Sequence, residues 1–374
     1  MLSKFIKIIT REIANIPGWR TNRKIIVIES DDWGSIRMPS VKVFKSLQDK
    51  GVDITSGDIS RYNLFDTLAT VDDLSLLFDI LAAAKDKNGN SCIFTPLSLV
   101  ANPDFEKIKA GNFKEYYYEP FTETLKRYPG CENSFSLWTE GVKHNIFIPQ
   151  FHGREHLNVQ VWLKALQNND PHTRIAFESE LWGFNSLNPK NISYQAAFDL
   201  YNPSEIDYQK EVIASGLKLF EKLHGYKASF FVPPNGPFNE ILEETAFTGG
   251  IRYMYSTKIH HEPQGYGKFK NKFHYLGQKN KLGQHYLMRN CFFEPSQKGR
   301  DWVSSCIDDI SIAFKWHKPA VISSHRVNFI GALNPSNRDN GLRLFKELLD
   351  KIKQRYPDVE FMSSSQLGDT ITNG

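Results

Sequence analysis

Two carboxylates stand side by side at the end of an apolar run, in Val27-Ile28-Glu29-Ser30-Asp31-Asp32-Trp33-Gly34. Adjacent acids closing a buried strand repel each other unless a cation or a proton relieves them. The same pair would also suit a solvated turn at the start of a helix, so other residues must decide. His152 and His156 are spaced i, i+4 and follow the apolar run 146–151. With a helical turn from Gly153 onward, both imidazoles lie on one face about 6 Å apart. That spacing suits two nitrogens on one metal, although Gly153 stands where a zincin motif has glutamate. Asp32 is the candidate third ligand. Two histidines and one carboxylate leave positions open for water and substrate. Pro233-Pro234-Asn235-Gly236 is a rigid turn that can aim a backbone N–H at a developing oxyanion. His325 closes the run 321–324, and a strand-end histidine in a cleft can protonate a leaving group near neutral pH.

These residues are far apart in sequence, so the elements before them must bring them together. Apolar runs at 25–28, 91–99, 146–151, 228–232, 253–256, 285–293, 319–324 and 359–363 read as strands, with another over 174–181 that carries Glu178 and Glu180. Helical patterns fill 39–50, 72–85, 158–168, 205–224, 238–247, 301–316 and 336–355. Strands alternating with helices argue for parallel strands and helical crossovers. Seven or eight such units fit one α/β barrel spanning 1–374 better than two domains. In such a barrel the carboxyl ends of the strands gather at one face, where sites are built. Residues 101–145 and 258–284 read as two long surface excursions over that body, the first aromatic and irregular, the second polar.

Composition narrows the function classes. The 374 residues carry a net charge of +4, and there is no basic tract or aromatic-basic stripe of the kind that grips nucleic acid. Aromatic content is high, at 13%, and such a surplus often lines sugar-binding clefts as well as cores. Cys92, Cys131, Cys291 and Cys306 are scattered without a CxxC pair; Cys92 and Cys291 sit in apolar runs and read as buried thiols, which suits a reducing compartment and argues against a zinc knuckle. Residues 1–15 place Leu2, Phe5, Ile6, Ile9 and Ile13 at helical spacing between charges, an amphipathic N-terminal helix within 1–20 with weak membrane-surface attachment as its alternative. They lack the unbroken apolar core of a signal peptide, and no run of about 18 apolar residues exists. The expected location is cytoplasmic.

Taken in order, the four motifs resemble those of the polysaccharide deacetylase family, the NodB-homology or carbohydrate esterase 4-like proteins. Ser30-Asp31-Asp32-Trp33-Gly34 is similar to the family's Asp-Asp-Gly strand end with an extra Trp. His152 to His156 is similar to its His-Ser/Thr-x-x-His, Pro233 to Gly236 to the core of its Arg-x-Pro-Tyr/Asn-Gly, and Ser323-Ser324-His325 to its last strand-end His. The resemblance implies a distorted (β/α)7 barrel of the glycoside hydrolase/deacetylase type. It implies Asp31 as general base, Asp32, His152 and His156 as ligands of a divalent metal (zinc first, cobalt or nickel as alternatives), Asn235 at the oxyanion and His325 as general acid. The implied reaction removes an acetyl or other acyl group, by amide or ester hydrolysis, from an acetylated saccharide or sugar precursor. Trp33, Arg154, Pro234, Arg289 and Arg326 are the expected substrate contacts. The family's third-motif arginine is replaced by Val232, leaving Arg326, Arg289 or Arg154 to substitute for it. Only Asp301-Trp302 resembles part of the fourth motif. A glycoside hydrolase built on a carboxylate pair such as Glu178 and Glu180, or a non-catalytic carbohydrate-binding homologue, is the alternative.

Overall fold

The computed structural model describes residues 11–186 and 192–374. Most of the sequence of the expected N-terminal helix, 1–10, lies outside these residues; 11–14 are helical. The described residues build thirteen strands: β1 Ile25–Trp33, β2 Phe94–Leu99, β3 Ala101–Pro103, β4 Tyr118–Pro120, β5 Gln150–Gly153, β6 Phe230–Phe231, β7 Tyr253–Tyr255, β8 Ile259–Gly265, β9 Lys268–Phe273, β10 His285–Leu287, β11 Cys291–Phe292, β12 Ala320–His325 and β13 Glu360–Met362. Nine of them form one sheet, in the order β10-β7-β6-β5-β2-β1-β12-β11, with β13 also on β1. Its pairings are all parallel.

Sheet curvature follows from one connection. The end strands of that order, β10 and β11, are consecutive in the chain and separated only by Met288, Arg289 and Asn290. The steps from Leu287 to Cys291 reach on the order of 14 Å. The sheet must therefore curl until its edges nearly meet, which makes a distorted (β/α) barrel. The sequence reading of 285–293 as one strand is corrected here: it is two short strands on opposite edges of the wall.

Alternation along each strand divides inside from outside. Ile25, Val27, Leu97, Phe230, Tyr253, Leu287 and Val321 share one buried cluster, closed by Leu367 and Ile371 of the C-terminal helix Ser364–Asn373. That helix, absent from the sequence reading, plugs the barrel. Ile26, Ile28, Phe94 and Ile322 face the other way, onto the helices Val71–Ala83 and Pro335–Arg355. Both helices match the sequence expectation, and the first is fixed by a capping box between Thr70 and Asp73.

Other expectations change. Residues 171–177 form a helix, not a strand, capped by Asp170 with Pro171 in its first turn. The 101–145 excursion is ordered: β3 pairs with β4, and Phe105–Ala110 and Ser134–Lys143 are helical. The 258–284 excursion contains the antiparallel hairpin β8–β9. Cys92 and Cys291 are buried free thiols, as expected, and so are Cys131 and Cys306. No helix among the described residues is long and apolar enough to cross a membrane.

Candidate metal centre and catalytic cleft

Asp31 continues the inward parity of Ile25, Val27 and Glu29, so plain alternation would send Asp32 outward. A register shift in the β1–β2 pairing between Ser30 and Trp33 breaks that alternation. Asp32 sits at φ 75°, in the left-handed region that aspartate tolerates better than most residues. The bulge thus turns both carboxylates into the same cleft, of about 700 Å³. The acids lie within the strand rather than in a turn after it. Gly34 follows at φ 87°, where a Cβ would stand 2.3 Å from the Leu99 carbonyl oxygen.

His152 also belongs to its strand, β5, and the next helix starts only at Val159. The expected helical turn carrying both histidines is therefore absent. Instead Gly153, at φ 138°, lets the chain bend, and the two rings still lie 5.3 Å apart. His152 Nδ1 donates to the Val232 carbonyl at 2.6 Å, which leaves Nε2 as the lone-pair nitrogen facing Asp32 at 3.7 Å. His156 Nε2 is 3.1 Å from the same Asp32 Oδ1, and its ring stacks on Trp182. Ligand atoms of the three residues all lie within 4.8 Å of one another. Burial drives His156 down to about 4 despite Asp32, so it is neutral at ordinary pH. Burial pushes Asp32 up, but Arg37 and His156 outweigh it and hold it well below the usual carboxylate range.

This donor set fits a divalent cation. The three side chains are 2–3% exposed. His152 Nε2, His156 Nδ1 and Asp32 Oδ2 have no hydrogen-bond partner among the described residues. A buried polar atom left so costs roughly 1–3 kcal/mol; Arg37 relieves Asp32 Oδ2, and a cation between the two histidines and Asp32 Oδ1 would use the lone pair of His152 Nε2. Arg37, which the sequence reading did not single out, lies 3.2 Å from Asp32 Oδ2, donates to Gln195 and is flanked by the Tyr62 and Trp182 rings.

Of the three arginines weighed in the sequence, Arg289 is the one that bonds Asp31. It stands in the gap between β10 and β11, on the inward parity of Leu287. Nη1 and Nη2 donate to the two oxygens of Asp31 at 2.6 Å each, and Nε donates to Glu29 at 2.6 Å. A planar fork matched to a carboxylate fixes orientation as well as charge. Burial raises Asp31, but Arg289 outweighs it and the net shift is downward. Burial wins at Glu29, whose pKa rises in spite of Arg289 and Ser364.

His325 ends β12, in register with Asp31, and its Nε2 is 3.6 Å from Asp31 Oδ2. Its Nδ1 meets Glu294 Oε1 at 2.5 Å. Glu294 also accepts from Arg61 at 2.6 Å and Asn328 at 2.9 Å. Burial pulls His325 down, yet Glu294 and Asp31 raise it to about 9. The sequence reading missed Glu294, although it closes the apolar run Cys291-Phe292-Phe293 in the same way that Asp31 and His325 close theirs. Asn235 lines the cleft at φ 56° in a turn closed by Gly236 N–H on Pro233 O, and its own N–H makes no hydrogen bond among the described residues.

Four expected substrate contacts lie elsewhere. Trp33 is 1% exposed, packed edge-on to Phe94 and Phe147, with Nε1 donating to Ser30. Arg154 is consumed by Glu155 and stacked on Tyr118. Pro234 is buried against Gly153. Arg326 is fully buried on Asp66, which in turn lies 3.8 Å from Arg37. Each arginine is too far committed to a buried or adjacent acid to reach the cleft. Glu178 pairs with Lys109 at the surface, and neither it nor Glu180 lines the cleft. Asp301 caps the helix Trp302–Lys315, while Trp302 reaches the cleft wall.

No family model matches the chain, and no curated protein matches it. Solved structures similar to it include a putative polysaccharide deacetylase from Mycobacterium smegmatis, at 10% identity and TM-score 0.44, covering 96% of this chain and 94% of that one. A probable polysaccharide deacetylase from Pseudomonas aeruginosa PAO1 is 9% identical at TM-score 0.45, covering 94% and 91%. A CE4 family pseudoenzyme from Bacillus anthracis is 11% identical at TM-score 0.38, covering 94% and 69%.

Proposed function

We propose that this protein is a divalent-metal-dependent hydrolase that removes an acetyl or other acyl group from a carbohydrate. The observation that carries this reading is the convergence, in one cleft, of an arginine-held carboxylate, a buried Asp-His-His donor set and a carboxylate-backed histidine. A glycoside hydrolase needs two carboxyl groups facing each other across the bond. Here one acid of the adjacent pair belongs to the donor set, and Glu178 and Glu180 are outside the cleft.

Asp32, His152 and His156 would hold the ion, which when bound supplies Lewis acidity toward water and the acyl oxygen. Asp31, kept ionised by Arg289, accepts the proton of the attacking water. The Asn235 N–H donates to the acyl oxygen as charge develops on it. His325 carries its proton on Nε2, since Nδ1 is engaged by Glu294, and gives it to the departing sugar nitrogen or oxygen. Tyr62, edge-on to His325, limits the ring's movement.

Metal analysis tests the centre directly. Wild-type protein is expected to hold about one divalent ion per chain, and His152→Ala to lose most of it, because mutating even an outer-shell partner of a ligand typically costs about 10- to 100-fold in affinity and this variant removes a ligand itself. Equal metal content in both proteins would remove the proposal. Acetate release from N- and O-acetylated oligosaccharides then sorts amide from ester substrates.

Glu294→Gln tests the acid. The His325 shift from 6.5 to about 9 corresponds to roughly 3 kcal/mol favouring the charged ring. Because the folded value is raised, this stability is fully present below 6.5 and lost as pH rises through about 9. Without the Glu294 charge the largest cause raising His325 is gone and only Asp31 and Asp32 oppose burial, so the alkaline limb of kcat is expected to move down from near 9. An unmoved limb would mean that His325 is not the proton donor.

A further inference from the structure

The hairpin β8–β9 leaves the barrel directly beyond β7, two residues after Thr257, which lines the cleft. Its inner face is clamped: His260 is bonded to the Phe238 carbonyl, Glu262 accepts the Glu240 N–H, and Lys272 pairs with Glu240. Its tip is tied to the body by the Tyr266 N–H on Tyr201 O. A hairpin fixed in this way would normally present polar side chains on its other face. It presents Ile259, Phe269 and Phe273 on one face by register, at 51%, 61% and 70% exposure, around the hydrogen-bonded pair His261 and Asn271.

The apolar surface continues onto the N-terminal arm. Lys258 Nζ donates to the Ala14 carbonyl and Trp19 N–H to Leu276 O, which brings the exposed Ile13 and Ile16 beside the hairpin base. Of fifteen large exposed apolar side chains among the described residues, eight lie on this arm or between 259 and 282, so the clustering is not the ordinary scatter of surface apolar groups.

Charge says what covers this face. Between 258 and 284 the sequence has six lysines and one acid, Glu262, which is buried in the inner face. Lys268, Lys270, Lys279 and Lys281 are exposed and make no ion pair among the described residues. Lysine is depleted at protein–protein interfaces, and a second copy would set lysine against lysine. Exposed rings flanked by lysines suit a lipid headgroup layer: Lys270 leaves β9 on the face opposite Phe269 and Phe273, and its long stem, like those of Lys268, Lys279 and Lys281, carries the ammonium group toward the phosphates while the rings sit at the acyl boundary.

We infer that β8–β9 and the N-terminal arm dock on an anionic lipid surface, which sets the mouth of the cleft toward saccharide carried at that surface. Only the orientation of the cleft rests on the hydrolase reading; the docking does not.

Vesicle co-sedimentation with the full chain tests it. Wild-type protein is expected to bind phosphatidylglycerol-rich vesicles at low salt, to leave them at high salt, and to ignore pure phosphatidylcholine. Phe269→Ser/Phe273→Ser is expected to weaken binding about tenfold or more, and Lys268→Glu/Lys270→Glu to abolish the lipid preference. All four side chains are exposed, and an unchanged thermal transition checks that the fold is kept. Four results would overturn the inference: no binding to anionic vesicles, equal binding to phosphatidylcholine, full binding by the Phe variant, or self-association that the Phe variant abolishes. Capture by soluble polygalacturonate without vesicle binding would assign the face to an acidic polysaccharide and overturn it too. Asp31→Asn protein is expected to bind vesicles like wild type, which separates failure of docking from failure of the hydrolase assignment.

Discussion

Asp31→Asn is expected to lower kcat for acyl hydrolysis by roughly 10²- to 10⁴-fold, the usual worth of a positioned general base, while leaving metal content unchanged. The substitution keeps the side chain's size and one of its two acceptors for Arg289, so the cleft stays intact. It removes the basicity that the proposed mechanism assigns to Asp31. The donor set does not include Asp31: the two histidines approach Asp32 Oδ1, and Asp31 faces Arg289 and His325 instead. Since the Asp31 pKa lies below the ordinary 3.8, the wild-type acid limb is expected below the usual carboxylate range. Paired measurement of acetate release and metal content decides the matter. Loss of metal in Asp31→Asn would exchange the roles assigned to the two acids, and undiminished turnover would leave the protein without an identified base.

The division of labour between these acids depends on backbone detail that sequence carries only faintly. Parity was legible: 25, 27, 29 and 31 share one side of β1, as do 321, 323 and 325 of β12. Register then puts Asp31 beside His325. The strand-end rule found the acids and histidines that reach the cleft from β1, β5 and β12, and passed over Ser323, which lines it from β12. It did not show the bulge that turns Asp32 inward, because a single left-handed residue leaves no compositional mark when the residue is aspartate.

Arginines misled for a different reason. Arg154 and Arg326 follow strand ends as closely as Arg289 does, and one-dimensional position cannot tell an arginine aimed at the cleft from one consumed by Glu155 or Asp66. The strand read through 285–293 hid the most informative break in the chain, the crossing from one edge of the barrel to the other. Glu178 and Glu180 were misplaced because 174–181 is short and apolar enough for either periodicity, while Asp170-Pro171 just before it is a helix start.

Arg289→Met is expected to cost roughly 3–5 kcal/mol of stability, the usual effect of removing one partner from a buried ionic network. Arg289, Asp31 and Glu29 have side chains 6%, 9% and 1% exposed, and the guanidinium bonds both acids. Without it two carboxylates of the same strand face each other in the barrel with Ser364 and Ser323 as neutral company. The sign differs for the two acids. Asp31 is depressed in the fold, so it contributes stability above 3.8 that is lost as pH falls through its lower folded value. Glu29 is raised, so ionising it opposes folding once pH passes 4.5. Both are worse off in Arg289→Met, and its urea midpoint is expected to fall further at pH 8 than at pH 5. The acid limb of any residual activity should move upward with the Asp31 pKa. Adding Glu29→Gln is expected to restore part of the stability, since it removes one of the two stranded charges, but not the position of that limb, because nothing replaces the fork on Asp31. Arg289→Lys keeps the charge and loses the fork, so it should recover stability more than turnover. Wild-type stability with an unshifted pH profile in Arg289→Met would mean that Asp31 is held by something other than Arg289.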